Sequence, residues 1–349
     1  MLLALPALLG LSLALLPGAG PLGLRTQGTL RELFLDVIGA DARPLARPTL
    51  DLRWALANDW NEPMQLTRHD DTAYQFLDEQ ADSLTASYRA PWPRLPWIWS
   101  AVEGRLTEHW GGWSDRPIES WHRLTGAFNY QRESFPRNQL RLLYADSGGT
   151  AFDVRSARLS VGDLVARTQA TVLQGARGAV ALRFDLKAPT GLLSRLGGSG
   201  GFDFGGGALG TVVLAPWATL HGLVALSHFA NLSAPTALQP KPWHWSFEAS
   251  LAFALGDTEI LLEDRCLSPL LPPGWTRLPG GGDDALLSSG LYADFRAHNQ
   301  VSAGVRRGRF SVWASEDFTP GPNPHSTIHW IWVSNAPDIV LGLAFTQPL

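Results

Sequence analysis

Seven of the nine histidines, His109, His122, His221, His228, His244, His325 and His329, are the first side chains that could do chemistry. Imidazole binds metals and moves protons near neutral pH. None of the seven sits in an HExxH motif or at Cys-His ligand spacing. His325 and His329 are four apart, a spacing that shares a face only on a helix. No metal site and no cofactor are expected. Acyl chemistry needs a nucleophile within hydrogen-bond reach of a base, and proximity in sequence offers Ser120 with His122 and Ser227 with His228. Adjacent strand residues point to opposite faces, which counts against the second pair, and no Gly-x-Ser-x-Gly elbow is present. The run Gly-Gly-Ser-Gly-Gly-Phe-Asp-Phe-Gly-Gly-Gly from Gly197 to Gly207 looks like a phosphate cradle. The pattern after it is strand, not helix, so the P-loop geometry is missing and the glycines read as sites of bending or close backbone approach. The chain is therefore not expected to be an enzyme.

A larger set of charged residues shares a different logic. Asp51, Arg53, Asp163, Arg167, Arg183, Asp185, Lys187, His244, Glu248, Glu259, Glu263 and Arg265 all fall on the polar side of alternating segments. Val180, Leu182, Phe184 and Leu186 alternate with Arg183, Asp185 and Lys187. Trp243, Trp245, Phe247, Ala249, Leu251, Phe253 and Leu255 alternate with His244, Ser246, Glu248 and Ser250. Leu50, Leu52, Trp54 and Leu56 alternate with Asp51 and Arg53. In strands such sets lie on opposite faces. The segment from Trp243 is long enough to cross a bilayer, which takes roughly 9–11 tilted residues. An Arg or Lys facing hydrocarbon at midplane costs roughly 2–4 kcal/mol, so the charged row must face a lumen. Its mixed signs favour a lumen partly closed by ion pairs over a wide pore of one sign.

The elements that would position these residues are strands divided by turn punctuation, supplied by 35 glycines and 25 prolines. Less regular strands are expected at Ser83–Ala90, Trp97–Glu108, Gln139–Ala145, Thr150–Arg155, Leu159–Leu173, Phe202–Val213, Ala218–His228, Thr258–Leu267, Ala285–Arg296, Val301–Ser315, Ile328–Val333 and Ile339–Phe345. Short turns at Pro91–Pro96, Ser147–Gly149, Gln174–Arg177, Ala215–Trp217, Gly256–Asp257 and Ala297–Gln300 alternate with long loops. The loops are Asn61–Thr72, Trp110–Arg137, Pro189–Gly201, Asn231–Pro242, Ser268–Asp284 and Phe318–Ser326. Bacterial barrels sort their connections in this way, with short turns on the periplasmic side. Only a short link near Ser156 breaks the pattern. The loop from Trp110 predicts a short helix, with Asp115 as cap, Pro117 in the first turn, and Ile118, Trp121 and Leu124 at helical spacing.

Composition agrees. Trp is abundant at 15 residues and charged residues make up only 17%, as suits a barrel with aromatic girdles. A net charge of -4 with no basic block argues against nucleic acid. Cys266 is the single cysteine, so no intrachain disulfide forms. Leu2–Leu16 is an apolar run with the length of a signal h-region, although no Lys or Arg follows Met1. The expected organisation is a cleavable signal peptide over residues 1–20, then one transmembrane β-barrel domain over 21–349. The fold expected is all-β, a single antiparallel barrel of about 12 strands, with 14 as the alternative.

Several short stretches occur together in order: Pro21-Leu22 with Arg25-Thr26; Gly111-Gly112 with Ile118-Glu119-Ser120-Trp121-His122; Gly162-Asp163-Leu164; Leu186-Lys187-Ala188-Pro189-Thr190-Gly191; Gly198-Ser199-Gly200; and Glu316-Asp317-Phe318. On these the stretch from Pro21 to Val333 resembles DUF family 3187, a family of unknown function in Gram-negative bacteria regarded as outer-membrane barrels. The resemblance implies a membrane barrel and no assigned reaction. Pro322–Val333 fits the family's last strand, and about fifteen residues follow. Phe345 fits the terminal aromatic read by barrel-assembly machinery if Ile339–Phe345 is the closing strand. The function expected is passive passage or binding of a small solute at the outer membrane. A closed structural or anchoring barrel is the alternative, and a lipid-modifying enzyme a lesser one. The partners expected are outer-membrane lipids and the assembly machinery.

Overall fold

Alternating side chains bury one face of each strand and leave the other apolar and exposed, and the chain satisfies its backbone by closing one sheet on itself. The computed structural model describes residues 20–68, 70–125, 132–237, 239–274, 276–278, 294, 297–320, 331–333 and 339–349. The expected signal peptide, residues 1–20, lies, but for Gly20, outside the described residues. The strands are β1 (Thr49–Arg68), β2 (Asp71–Trp92), β3 (Leu95–Trp110), β4 (Arg141–Asp146), β5 (Gly149–Val154), β6 (Arg158–Val161), β7 (Leu164–Gln174), β8 (Gly178–Ala188) and β9 (Asp203–Ala215). They continue with β10 (Ala218–His228), β11 (Trp243–Leu255), β12 (Thr258–Leu267), β13 (Thr276–Leu278), β14 (His298–Arg307), β15 (Phe310–Pro320), β16 (Ile331–Val333) and β17 (Ile339–Pro348).

All belong to one antiparallel sheet. The wall runs β1–β2–β3–β7–β8–β9–β10–β11–β12–β14–β15–β17 and closes where β17 pairs β1, from Thr49↔Pro348 to Asn58↔Ile339. Twelve strands therefore form the barrel, and the closing strand is Ile339–Pro348, carrying Phe345. The wall begins and ends at the rim that carries the short turns, where Leu349 N donates to Pro48 O at 2.8 Å.

Alternation places the faces as expected. Val180, Leu182, Phe184 and Leu186 are exposed on the outer face, while Arg183, Asp185 and Lys187 between them are buried. Trp92, Trp97 and Trp217 stand exposed near the short-turn rim, and Trp243 and Trp245 near the long-loop rim. This is the aromatic girdle of a transmembrane barrel. Among the described residues no helix is long and apolar enough to cross a membrane.

Four expectations are corrected. Asn61–Thr72 is not a loop, since β1 and β2 continue as a paired hairpin to Arg68↔Asp71. Period two fails there because Phe76 to Ala81 are buried on both faces, with interior on one side and a packed loop on the other. Val301–Ser315 is not one strand but the hairpin of β14 and β15, turned at Gly308 with φ +59°. Ala297–Gln300 is accordingly no turn, since β14 starts at His298. Leu159–Leu173 is broken into β6 and β7 by Gly162-Asp163, whose amide at Gly162 bonds Arg105 O at 2.8 Å. The irregular link near Ser156 is also explained. β4 pairs with the extension of β2 beyond the wall, β5 pairs with β4, and neither adds a crossing. The strand expected at Ala285–Arg296 lies, but for Asp294, outside the described residues.

The expected helix forms as α1 (Asp115–Thr125). The residues flanking it pack on the outer face of the β1–β2 extension. Ser114 Oγ accepts from Asn58 Nδ2 at 2.8 Å, Trp113 N donates to Gln80 Oε1 at 3.2 Å, and Phe135 packs edge-on to Trp60. Ile118 and Glu119 face inward, while Trp121 and Leu124 are exposed.

Candidate functional site

Residues 20–48 join no strand, and they occupy the lumen. Arg306 Nη1 donates to Gly20 O at 3.0 Å at the short-turn rim. From there the segment climbs past Glu263, whose Oε2 accepts from Leu22 N at 3.0 Å. It turns over in a single 3-10 turn, Arg31–Leu33, near the long-loop rim. It then descends past Glu248, which accepts from Gly39 N at 3.0 Å, and Thr211, which accepts from Ala42 N at 3.0 Å, to reach β1. We call this segment the plug. With no sheet partners of its own, its backbone must be satisfied by side chains of the wall.

The sequence-selected residues supply much of that satisfaction. Asp51, Asp163, Arg167, Arg183, Asp185, Lys187, His244, Glu248, Glu263 and Arg265 are buried, and Arg53 and Glu259 are half-buried. Six bond the plug directly. Besides Glu248 and Glu263, Arg53 Nη1 donates to Leu22 O at 2.8 Å, and Arg167 Nη1 donates to Asp36 O at 3.0 Å. Arg265 donates to Asp36 Oδ2 at 2.8 Å and to Val37 O at 3.0 Å, and Lys187 Nζ to Leu33 O at 3.1 Å. The other carboxylates hold the cations in place. Asp185 takes Arg167 and Arg183, Asp163 takes Lys187, Asp51 takes Arg89 at 2.6 Å, and Glu259 takes Arg306 at 3.1 Å. His244 stands apart in the closed loop region, stacked on Phe229 at 4.1 Å with Nε2 2.7 Å from Lys241 O.

Lys187 is the node of this arrangement. Its ammonium reaches Asp163 Oδ2 at 2.5 Å, Ser199 Oγ at 2.8 Å, Asp203 Oδ2 at 3.2 Å and the plug tip at Leu33 O. Three stretches that carried the family resemblance thus meet at one point. Gly191 N donates to Asp163 Oδ1 at 2.8 Å, Leu164 N to Thr190 Oγ1 at 2.9 Å, and Ser199 N to Leu33 O at 3.2 Å. A Cβ on Gly191 would stand 2.4 Å from Gly197 O, so the glycines are required by close backbone approach. The glycine-rich run is structural, as its strand context implied.

Several residues that hold the plug were not singled out in the sequence. They are Arg25 with Glu103 at 2.9 Å, Glu32 with Arg105 at 2.9 Å, and Asp36, Ser199 and Asp203. At the tip, Thr29 Oγ1 lies 2.7 Å from Asp59 Oδ2 and 2.6 Å from Glu79 Oε1, and Glu79 Oε2 lies 2.7 Å from His109 Nδ1. One signal for them was present. Seven charges, Arg25, Arg31, Glu32, Asp36, Asp41, Arg43 and Arg47, stand in a segment with no strand pattern, immediately before a barrel whose interior is charged.

At the long-loop rim the closure is apolar. Leu30, Leu33, Phe34 and Leu35 of the plug pack with Leu196, Phe229, Leu232, Leu270 and Leu271 of the loops. Phe34 stacks on Phe229 at 4.9 Å. Neither Ser-His pair is assembled for catalysis. Ser120 Oγ donates to Arg116 O at 2.8 Å, and Ser227 faces inward while His228 stacks on Phe204 at 5.0 Å. Among the described residues no group of three His, Cys, Asp or Glu could hold a metal ion. His325 and His329 lie outside them.

Fold comparison finds membrane barrels. An outer membrane channel from Pseudomonas putida F1 aligns over 90% of this chain and 100% of its own, with 11% identity and a TM-score of 0.48. The NanC porin aligns over 86% and 99%, with 7% identity and a TM-score of 0.40. A FadL homologue of Pseudomonas aeruginosa aligns over 87% and 91%, with 9% identity and a TM-score of 0.36. No functionally curated protein matches the chain in sequence. The sequence profile of the family described as protein of unknown function (DUF3187) matches residues 20–267, most of the chain, and the chain belongs to that family.

Proposed function

We propose that this barrel is a conduit for a small polar solute across the outer membrane of a Gram-negative bacterium, held shut by its own N-terminal plug. The short turns face the periplasm in this reading, as is usual for such barrels. Outer-membrane lipids then surround the wall, and Phe345 on the closing strand offers the assembly machinery its aromatic signal.

The observation that carries the reading is the polarity of the contact between plug and wall. Below its apolar tip the plug meets Arg53, Arg167, Glu248, Glu263 and Arg265. Buried ion pairs are a poor way to stabilise a permanent core, because well-packed apolar side chains of similar volume hold it as well or better. Their merit is that both surfaces can be wetted again when they separate. A wall of this kind suits a segment that leaves.

A closed structural barrel is the second reading, favoured by the filled lumen itself. A lipid-modifying enzyme is a distant third, since neither candidate Ser-His pair is in contact. Planar-bilayer recording of the folded protein, with and without residues 22–44, separates the first two. A conduit gives discrete current steps once the plug is deleted. A folded deletion variant that stays silent favours the structural barrel.

A further inference from the structure

The plug leaves two adjoining cavities of about 40 and 30 Å³ on the short-turn side of the lumen. Ile38, Arg53, Thr85 and Glu103 line both. Each water needs roughly 10–15 Å³, so the larger has room for about three waters or one acetate-sized molecule. Five guanidinium groups line the pair, Arg25, Arg53, Arg89, Arg167 and Arg183, against two carboxylates, Asp51 and Glu103. Asp185 and Glu263 stand just behind and are already engaged, Asp185 by Arg167 and Arg183, Glu263 by the plug amides of Leu22 and Gly23. Within the lining itself the cations outnumber the anions five to two.

The arginines also have donors to spare. Nε of Arg25, Arg89 and Arg167 is buried with no hydrogen-bond partner among the described residues, and the Arg167 side chain is only 3% exposed. Arg53 donates only to the carbonyl oxygens of Leu22 and Gly23 and makes no ion pair among the described residues. Trp99 lies beneath, with the Arg183 guanidinium 5.4 Å from its ring centre. A planar carboxylate is the complement of guanidinium groups with free N–H donors.

We propose that this vestibule binds a small monocarboxylate, so that the solute class of the conduit is anionic. The proposal rests on the conduit reading only for its functional meaning, because binding is measured on the intact, plugged protein. Saturation-transfer NMR of sodium acetate with the detergent-solubilised full chain is the test, with tetramethylammonium as the cation control and inorganic phosphate as competitor. Acetate is expected to receive saturation and tetramethylammonium none. Arg89→Gln, which breaks no plug contact, is expected to lower the acetate signal at least three-fold, and Arg53→Gln supplies the same comparison should Arg89→Gln misfold. Equimolar phosphate is expected to leave most of the acetate signal. Equal transfer to acetate and tetramethylammonium, or folded variants that bind acetate as wild type, would overturn the site. Full displacement by equimolar phosphate would overturn the carboxylate assignment. Acetate binding together with a silent plug deletion would retain the site and reject the conduit.

Discussion

Lys187 of the wall and Leu33 of the plug are joined across the lumen, the Lys187 ammonium donating to the Leu33 carbonyl at 3.1 Å while it also balances Asp163 and Asp203. Removing the ammonium leaves the charges of two buried carboxylates unbalanced and takes one of its two donors from the Leu33 carbonyl, which keeps only Ser199 N. Breaking one partner of a buried pair costs roughly 3–5 kcal/mol. Lys187→Ala is therefore expected to free the tip, and trypsin cleavage at Arg25 or Arg31 should accelerate by at least an order of magnitude in folded barrels. Cleavage at the wild-type rate would show that Lys187 does not anchor the plug.

Arg265 and Asp36 make the corresponding grip on the descending limb. Each single change, Arg265→Leu or Asp36→Leu, strands one buried charge. The double change removes both and substitutes apolar contact, which is often neutral. The open fraction in bilayer recordings is expected to rise about a hundred-fold in either single variant, about 2.7 kcal/mol, and to return most of the way in the double variant. Strictly additive effects would mean the two groups do not act as a pair.

The assignment of faces is tested by two neighbours on β8. Phe184 is 54% exposed on the outer wall and Arg183 is buried in the lumen. Phe184→Arg places a charge against hydrocarbon at a cost of roughly 2–4 kcal/mol and is expected to block assembly, read as loss of the heat-modifiable band on a gel. Arg183→Ala is expected to assemble. The opposite outcome for the pair would invert inside and outside.

Where the wall meets lipid on one side and polar interior on the other, the alternation in the sequence was enough. β8, β10, β11 and β12 stand nearly where period two puts them. It failed where a third layer intervenes. Phe76 to Ala81 are covered on both faces, so the β1–β2 extension reads as a loop. The β14–β15 hairpin was read through because Arg307-Gly308-Arg309 is a minimal turn between two alternating runs. Of the polar row read from alternation, from Asp51 to Arg265, ten residues are buried and Arg53 and Glu259 half-buried, and His244 stands apart from the rest. The occupant of that interior was not legible. The plug has neither helical nor strand periodicity, and its partners are wall residues far away in sequence, such as Glu248 for Gly39 and Arg265 for Asp36.

The central claim is that the plug leaves the lumen while the wall stays folded. The most direct test is labelling of one cysteine at Val37, buried on the descending limb. Val37→Cys is made in a Cys266→Ser background and exposed to a bulky, membrane-impermeant maleimide in reconstituted vesicles. Labelling of barrels that remain heat-modifiable, at a rate raised by Lys187→Ala, is the predicted result. Labelling confined to unfolded barrels, and insensitive to Lys187→Ala, would contradict it and make residues 20–48 a permanent core.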